Sequence, residues 1–300
     1  MSEFEGKVVV ITGAGGGLGK AHALEFASRG AKVVVNDLGG SGDGTGSSDA
    51  ADLVVEEIKA AGGEAIANKA SVSDKAGAQS IIDDAVSAYG TVDILVNNAG
   101  ILRDKSFKNM EMSDWDIVLD VHLNGTAYVT KAAWPIMYAK NYGRIVLTSS
   151  VSGIYGNFGQ ANYGAAKMGM VGMMNVLAIE GLAKNIRVNT LAPAAETRLI
   201  GTIPGIEVNP DDPAPERHPK LVTPAVILMS SEDAPTGKII HAGNGEFYTS
   251  AIFSNEHLKF GPDVTYEDLL AKKEQLLDMS GAEEMSGLIR TLQAMKKQEG

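Results

Sequence analysis

Three side chains in the segment TSSVSGIYGNFGQANYGAAK (148–167) have the types and spacing of a proton-handling site. Tyr163 and Lys167 are four residues apart, so on a helix they share one face. Ser150 stands thirteen residues before Tyr163, at the end of an apolar run, GRIVLTS (143–149), that reads as a strand. The spacing makes possible a site in which a phenol beside an ammonium exchanges a proton with a substrate.

A second candidate is ITGAGGGLGKA (11–21), which follows the apolar VVV at Val8 to Val10. A P-loop, GxxxxGK[ST], would need glycine at Ala14 and a hydroxyl residue at Ala21, so a triphosphate grip fails at both ends. The GxGxxG pattern fails at Leu18. What fits is Thr12-Gly13-x-x-x-Gly17-x-Gly19, in which Gly13, Gly15, Gly16, Gly17, Leu18 and Gly19 let backbone N–H groups approach a pyrophosphate at a helix start. A glycine turn without chemistry stays open. Asp37 ends the next apolar run, VVVND, where a carboxylate can bind an adenosine ribose and repel a 2′-phosphate. With glycine rather than a basic residue at position 16, NAD is expected as cofactor over NADP. Asp37 as a plain turn residue before Gly39 and Gly40 stays open.

The elements that would carry these residues alternate along the chain. Strands are expected at 7–12, 32–36, 64–68, 92–97, 143–149, 186–192 and 237–243, with helices over 18–28, 52–62, 74–89 and 161–183. Strands this apolar are covered on both faces, which indicates an α/β fold: a Rossmann-like doubly wound parallel sheet of about seven strands. Residues 1–250 are expected to form a dinucleotide-binding catalytic domain, and 251–300 a C-terminal helical extension packed on or near it. The glycine- and serine-rich stretch 38–49 reads as a mobile loop. The proline-rich stretch 201–219 reads as a linker or as a lid over a substrate cleft.

Bulk properties narrow the partners. The chain has 300 residues, 26 basic and 37 acidic, so its formal charge is 26 − 37 = −11. That argues against nucleic acid or an anionic membrane as main partner. The absence of cysteine excludes disulfides and thiolate catalysis, and five scattered histidines lack ligand spacing, so no metal is expected. No apolar run reaches the roughly 18 residues of a membrane span. The first residues, MSEFEGK, do not resemble a signal peptide and the last, KKQEG, are not an SKL-type address, so a cytoplasmic location is expected.

Taken together, TGxxxGxG, Asn97-Asn98-Ala99-Gly100, Ser150, Tyr163 and Lys167 resemble the short-chain dehydrogenase/reductase family over roughly residues 5–250. Stretches such as VVVNDLGG, GILRDKSF and YGRIVLTSSVSGIYGNFGQANY further resemble the (3R)-hydroxyacyl-CoA dehydrogenase modules of peroxisomal multifunctional enzymes of type two. The resemblance implies that Tyr163 takes the hydroxyl proton as hydride leaves for NAD, that Ser150 binds the substrate oxygen, and that Lys167 also holds the nicotinamide ribose. Lys167 and the nicotinamide charge would favour tyrosinate; lowering a phenol by about 3 pKa units takes roughly 4 kcal/mol.

It also implies cofactor contacts from Asn98, Ala99, Gly100, Pro193 and Thr197, and from Ser71 and Val72 where the family usually has an Asp-Val pair at the adenine. His122 stands where many members have a relay asparagine, with Asn124 two residues on; a satisfied helix histidine is the alternative. Helix 161–183 is apolar nearly all round; the core accounts for one face, and for the other the resemblance implies a subunit interface, in a homodimer or homotetramer. The expected substrate is a small molecule, a 3-hydroxyacyl-CoA. The alternatives are a hydroxysteroid, a 3-ketoacyl thioester, or a non-catalytic dinucleotide-binding role.

Overall fold

The computed structural model describes residues 2–196, 209 and 213–299, which divide into two compact units at residues 249 and 250. The first holds an eight-stranded sheet built on the apolar runs: β1 (Val8–Thr12), β2 (Lys32–Asn36), β3 (Glu64–Asn68), β4 (Ile94–Asn97), β5 (Gly143–Thr148), β6 (Ile186–Ala194), β7 (Ile239–Gly243) and β8 (Glu246–Ser250). Their order is β3-β2-β1-β4-β5-β6-β7-β8, and the pairs from β3 through β7 are parallel.

The alternation of side chains along a strand builds two cores. Val9 and Ile11 of β1 pack with Phe26 of α1 (Gly17–Ser28), Ile58 of α2 (Ala50–Ala60) and Met229 of α8 (Thr223–Ser230). Val8 and Val10 face the other way. They join Ile81 of α3 (Lys75–Tyr89), Val129 of α5 (Gly125–Lys140) and Met174 of α7 (Ala161–Glu180). Helices therefore cover both faces, as strands apolar on both sides demand.

Two sequence expectations change. The sheet has eight strands rather than about seven, because Asn244 (φ 53°) and Gly245 (φ 79°) make a two-residue turn that folds the chain back beside β7. The 38–49 stretch, expected to be mobile, is organised around Asp43. Its carboxylate accepts from the Ser41 and Thr45 hydroxyls and the Thr45 N–H, and Leu102 N–H donates to the Gly42 carbonyl at 3.0 Å. Most of the expected lid or linker at 201–219 lies outside the described residues; its end forms short 3-10 turns at Pro215–Arg217 and Pro219–Leu221.

The second unit is not purely helical. It holds α9 (Tyr266–Ala271), α10 (Lys273–Leu277) and α11 (Gly287–Glu299). It also holds an antiparallel ribbon of β9 (Phe253–Ser254) and β10 (Glu283–Glu284). Thr265 and Asp268 form a capping box at the start of α9.

Candidate active site

A cleft of about 590 Å³ opens at the carboxyl ends of β1, β4, β5 and β6 and brings most of the expected site residues together. At the end of β5 the chain turns into the short helix α6 (Val151–Ile154), with Ser150 as its N-cap. The Ser150 hydroxyl accepts from Ser152 N–H at 3.1 Å and is hydrogen-bonded to the Tyr163 phenol. Helix α7 carries Tyr163 and Lys167 on its cleft face. It approaches α6 so closely that a Cβ on Gly153 would stand 2.8 Å from the Lys167 backbone. Lys167 Nζ donates to the Thr148 carbonyl at 2.6 Å and lies 5.4 Å from the Tyr163 ring centre.

Burial dominates the electrostatics here. Loss of hydration pushes the Tyr163 phenol up to about 12, partly offset by the Ser150 hydrogen bond. The same cause lowers the Lys167 ammonium to about 7. By burial the phenol is displaced away from tyrosinate, opposite to the expected shift. Lys167 alone does not overcome the desolvation.

His122 lies in a π-helical turn, Asp120–Asn124, that joins α4 (Met112–Leu119) to α5. The extra residue of such a turn re-aims the side chains around it. The buried ring stands edge-on to Tyr163, 5.1 Å between centroids. Its Nε2 is 2.8 Å from the Ile101 carbonyl oxygen and 3.1 Å from the Ile101 amide nitrogen. Nδ1 is buried without a hydrogen-bond partner among the described residues, and burial, then the Lys167 charge, holds the imidazole well below its ordinary pKa. Asn124 faces elsewhere and donates to Asp120.

The glycine loop at the start of α1 forms another part of the cleft wall. Helix α1 starts after Gly16 with no side-chain cap and no acidic residue in its first turn, so its free N–H groups suit an anion. Gly13, Gly16, Gly17 and Leu18 line the cleft. Gly13 has φ 65°, and a Cβ there would meet Ala99 Cα at 2.7 Å, so glycine is required. Gly15 and Gly19 do not line it. Gly15 N–H donates to Asp37 Oδ2 at 2.8 Å, and a Cβ on Gly19 would meet the Gly13 carbonyl at 2.2 Å.

Asp37 thus has a structural task, since its second oxygen accepts from Gly39 N–H at 2.7 Å, and it still lines the cleft. Ser71, Val72, Asn98, Ala99, Gly100 and Pro193 line the walls too. Thr12 supports this wall: its hydroxyl accepts from the N–H groups of Asn98 and Ala99. Thr197 lies outside the described residues. The uncapped helix start and a backbone that only glycine permits fit a dinucleotide.

Residues 7–200 match the short chain dehydrogenase family. The chain belongs to the short-chain dehydrogenase family. It is 53% identical over 244 residues to peroxisomal multifunctional enzyme A of Dictyostelium discoideum, covering 81% of this chain and 54% of that one. Full-length peroxisomal multifunctional enzyme type 2 from Drosophila melanogaster superposes with a TM-score of 0.78 at 39% identity, over 98% of this chain and 49% of that one. The chain thus spans about half the length of both. A 7α-hydroxysteroid dehydrogenase solved with NADH and 7-oxo glycochenodeoxycholic acid superposes with a TM-score of 0.71 at 30% identity, covering 81% and 94%.

In this short-chain dehydrogenase the cleft contains polar groups that sequence reasoning missed. Gln160 Nε2 donates to Asp104 Oδ2 at 2.6 Å, and burial raises the Asp104 pKa. Glu196 accepts from Ala214 N–H at 3.0 Å and stands 3.6 Å from Arg217 Nη1. These pairs are far apart in sequence and belong to no motif, so no signal marked them. Helix α7 buries Met170, Val171 and Met174 on the face toward the sheet and carries Ala165, Met168, Gly172 and Val176 on the surface of this chain. Among the described residues no helix is long and apolar enough to cross a membrane, and no group of acidic or histidine side chains could hold a metal ion.

Proposed function

We propose that this short-chain dehydrogenase oxidises a (3R)-3-hydroxyacyl-CoA to the 3-ketoacyl-CoA with NAD⁺. The observation that carries the chemistry is the Tyr163 phenol, hydrogen-bonded to Ser150 and backed by buried Lys167 at the floor of a phosphate-cradling cleft. When bound, the oxidised dinucleotide supplies the hydride acceptor and a positive charge close to the phenol. Ser150 orients the substrate hydroxyl. Tyr163, as phenolate, takes the hydroxyl proton while the C–H electron pair leaves the same carbon as hydride, so alcohol becomes ketone and one proton is released. Lys167 holds the phenolate, and in the dry site each such interaction is worth more than in water. His122 orders the far side of the Tyr163 ring.

NAD rather than NADP is supported by the Asp37 carboxylate, by Gly16, and by the pairing of nearby cations: Lys69 is held by Asp49 and Asp52, and Lys20 by Glu57. The NADH in the hydroxysteroid dehydrogenase agrees with this choice. The CoA-ester substrate is supported by the identity to the multifunctional enzyme. A homodimer or homotetramer is supported by the exposed stripe of Ala165, Met168, Gly172 and Val176 on α7. The relatives' names place them in peroxisomes; cell fractionation decides between that compartment and the expected cytoplasm.

The test is NAD⁺ reduction with both enantiomers of a 3-hydroxyacyl-CoA, alongside hydroxysteroids. Turnover of the (3R) form is expected, and turnover of steroids alone would overturn the substrate. Tyr163→Phe should lower kcat by at least about a thousandfold while NAD⁺ affinity stays within about threefold. A mutant of near-normal kcat would remove Tyr163 as the base.

A further inference from the structure

A polar chain that reaches the cleft has a fixed direction. Asp104 Oδ2 accepts from Gln160 Nε2 at 2.6 Å, and Gln160 Oε1 accepts from Asn157 Nδ2 at 3.0 Å. An ionised carboxylate has nothing to donate, so it dictates which end of the Gln160 amide faces it. The Gln160 oxygen is thereby turned to Asn157, which must present its NH₂ group. What remains is Asn157 Oδ1, an acceptor with no protein partner among the described residues.

The frame around this chain is rigid. Lys105 N–H donates to the Gly159 carbonyl at 2.9 Å, and Asn162 Nδ2 donates to the Arg103 carbonyl at 3.2 Å, so segments 103–106 and 157–162 are sewn together. Gln160 is 4% exposed whereas Asn157 is open, and both line the cleft. The chain therefore carries an orientation from a half-buried carboxylate out to an exposed amide at the cleft.

We propose that Asp104 and Gln160 are positioning residues that hold Asn157 with Oδ1 toward the ligand, where it accepts a hydrogen bond from the amide N–H of the thioester's pantetheine arm. This rests on the 3-hydroxyacyl-CoA reading. A lone acceptor selects donors, so it repels phosphate and carboxylate oxygens and gains nothing from an acyl chain. In an acyl-CoA the groups of matching chemistry next to the thioester are the amide N–H groups of that arm. A half-buried acceptor-only carboxylate explains why a neutral amide can be used here without losing its orientation.

The experiment compares 3-hydroxybutyryl-CoA with an analogue whose amide N–H nearest the sulfur is replaced by an ester oxygen. Wild type should lose about tenfold in kcat/KM on the ester analogue, the worth of one hydrogen bond, with the loss in KM. Asn157→Ala should show the same loss on the natural thioester and no further loss on the analogue. Asp104→Asn, which can offer either an oxygen or an NH₂ group to Gln160, should reduce the discrimination without abolishing it, an effect a merely structural role would not produce. Equal treatment of the two thioesters by wild type, or undiminished discrimination by Asn157→Ala, would overturn the proposal while the dehydrogenase reading stands. Failure of wild type to turn over either thioester would overturn both.

Discussion

Replacing Lys167 by methionine should make the protein more stable at neutral pH and inactive. Lys167 is 3% exposed, and burial lowers its ammonium from the ordinary 10.5 to about 7. That fall corresponds to about 5 kcal/mol of unfavourable charge burial. The sign follows from proton binding: between pH 7 and 10.5 the unfolded chain holds this proton and the folded chain does not, so stability rises with pH across that window. Below pH 7 the full penalty applies to wild type. Methionine removes the penalty but leaves the Thr148 carbonyl, now bound at 2.6 Å by Nζ, without its donor, at a cost of about 2 kcal/mol.

The net gain for Lys167→Met is therefore about 3 kcal/mol at pH 6.5. It should shrink with rising pH, cross zero near about pH 9, and become a loss of about 2 kcal/mol above pH 10.5. Urea denaturation of the cofactor-free protein at a series of pH values, with both variants side by side, reads this directly. A stability difference independent of pH would mean that the lysine is hydrated in the folded protein. The dry site invoked for catalysis would then be wrong.

Two other substitutions address the cleft walls. Asp37→Ala removes the acceptor of the Gly15 and Gly39 N–H groups together with its charge, so the kcat/KM ratio for NAD⁺ over NADP⁺ should fall at least about tenfold; an unchanged ratio would refute a selective role for Asp37. Gly100→Ala would place a Cβ 2.3 Å from His122 Cε1, forcing the ring off its edge-on contact with Tyr163. A Tm decrease matching about 1–3 kcal/mol and a kcat loss of about tenfold or more are expected, and a normal kcat would show that the His122 ring position is irrelevant to turnover.

The parts of the fold legible in the sequence are those in which one local pattern has one solution. KVVVIT cannot hide its valines on a single face, so it must lie inside a sheet covered on both sides. Thr12 to Gly19 reads as a cradle because only glycine tolerates the Gly13 conformation and the closeness of Ala99. What escaped depends on partners distant in sequence. Asp37 binds Gly15 across 22 positions and Gln160 binds Asp104 across 56, and neither residue type announces its partner. The π-turn at His122 inserts one residue into an otherwise helical stretch, too small a slip for periodicity to reveal. The 38–49 loop has the composition of a flexible linker, yet a single carboxylate, Asp43, collects three donors and gives it shape.

The opposed shifts of Tyr163 and Lys167 share their leading cause, burial, to which the Asp104 charge adds at Tyr163. Burial disfavours charge of either sign, so it holds the phenol protonated and the amine close to neutrality. A phenol near 12 is no base at neutral pH, and a lysine near 7 lends it only part of a positive charge. The spacing of the two residues on α7 does not by itself offset this desolvation, and the positive charge of an oxidised nicotinamide would add to Lys167 in favouring tyrosinate. If so, the free protein should show no tyrosinate absorbance from Tyr163 below about pH 10, and kcat should be lost at a far lower acid limit once ternary complexes form. Difference absorbance between wild type and Tyr163→Phe, with and without NAD⁺, measures this. A Tyr163 titration near pH 7 in the cofactor-free protein would show that Lys167 alone suffices and that desolvation is not the dominant force in the cleft.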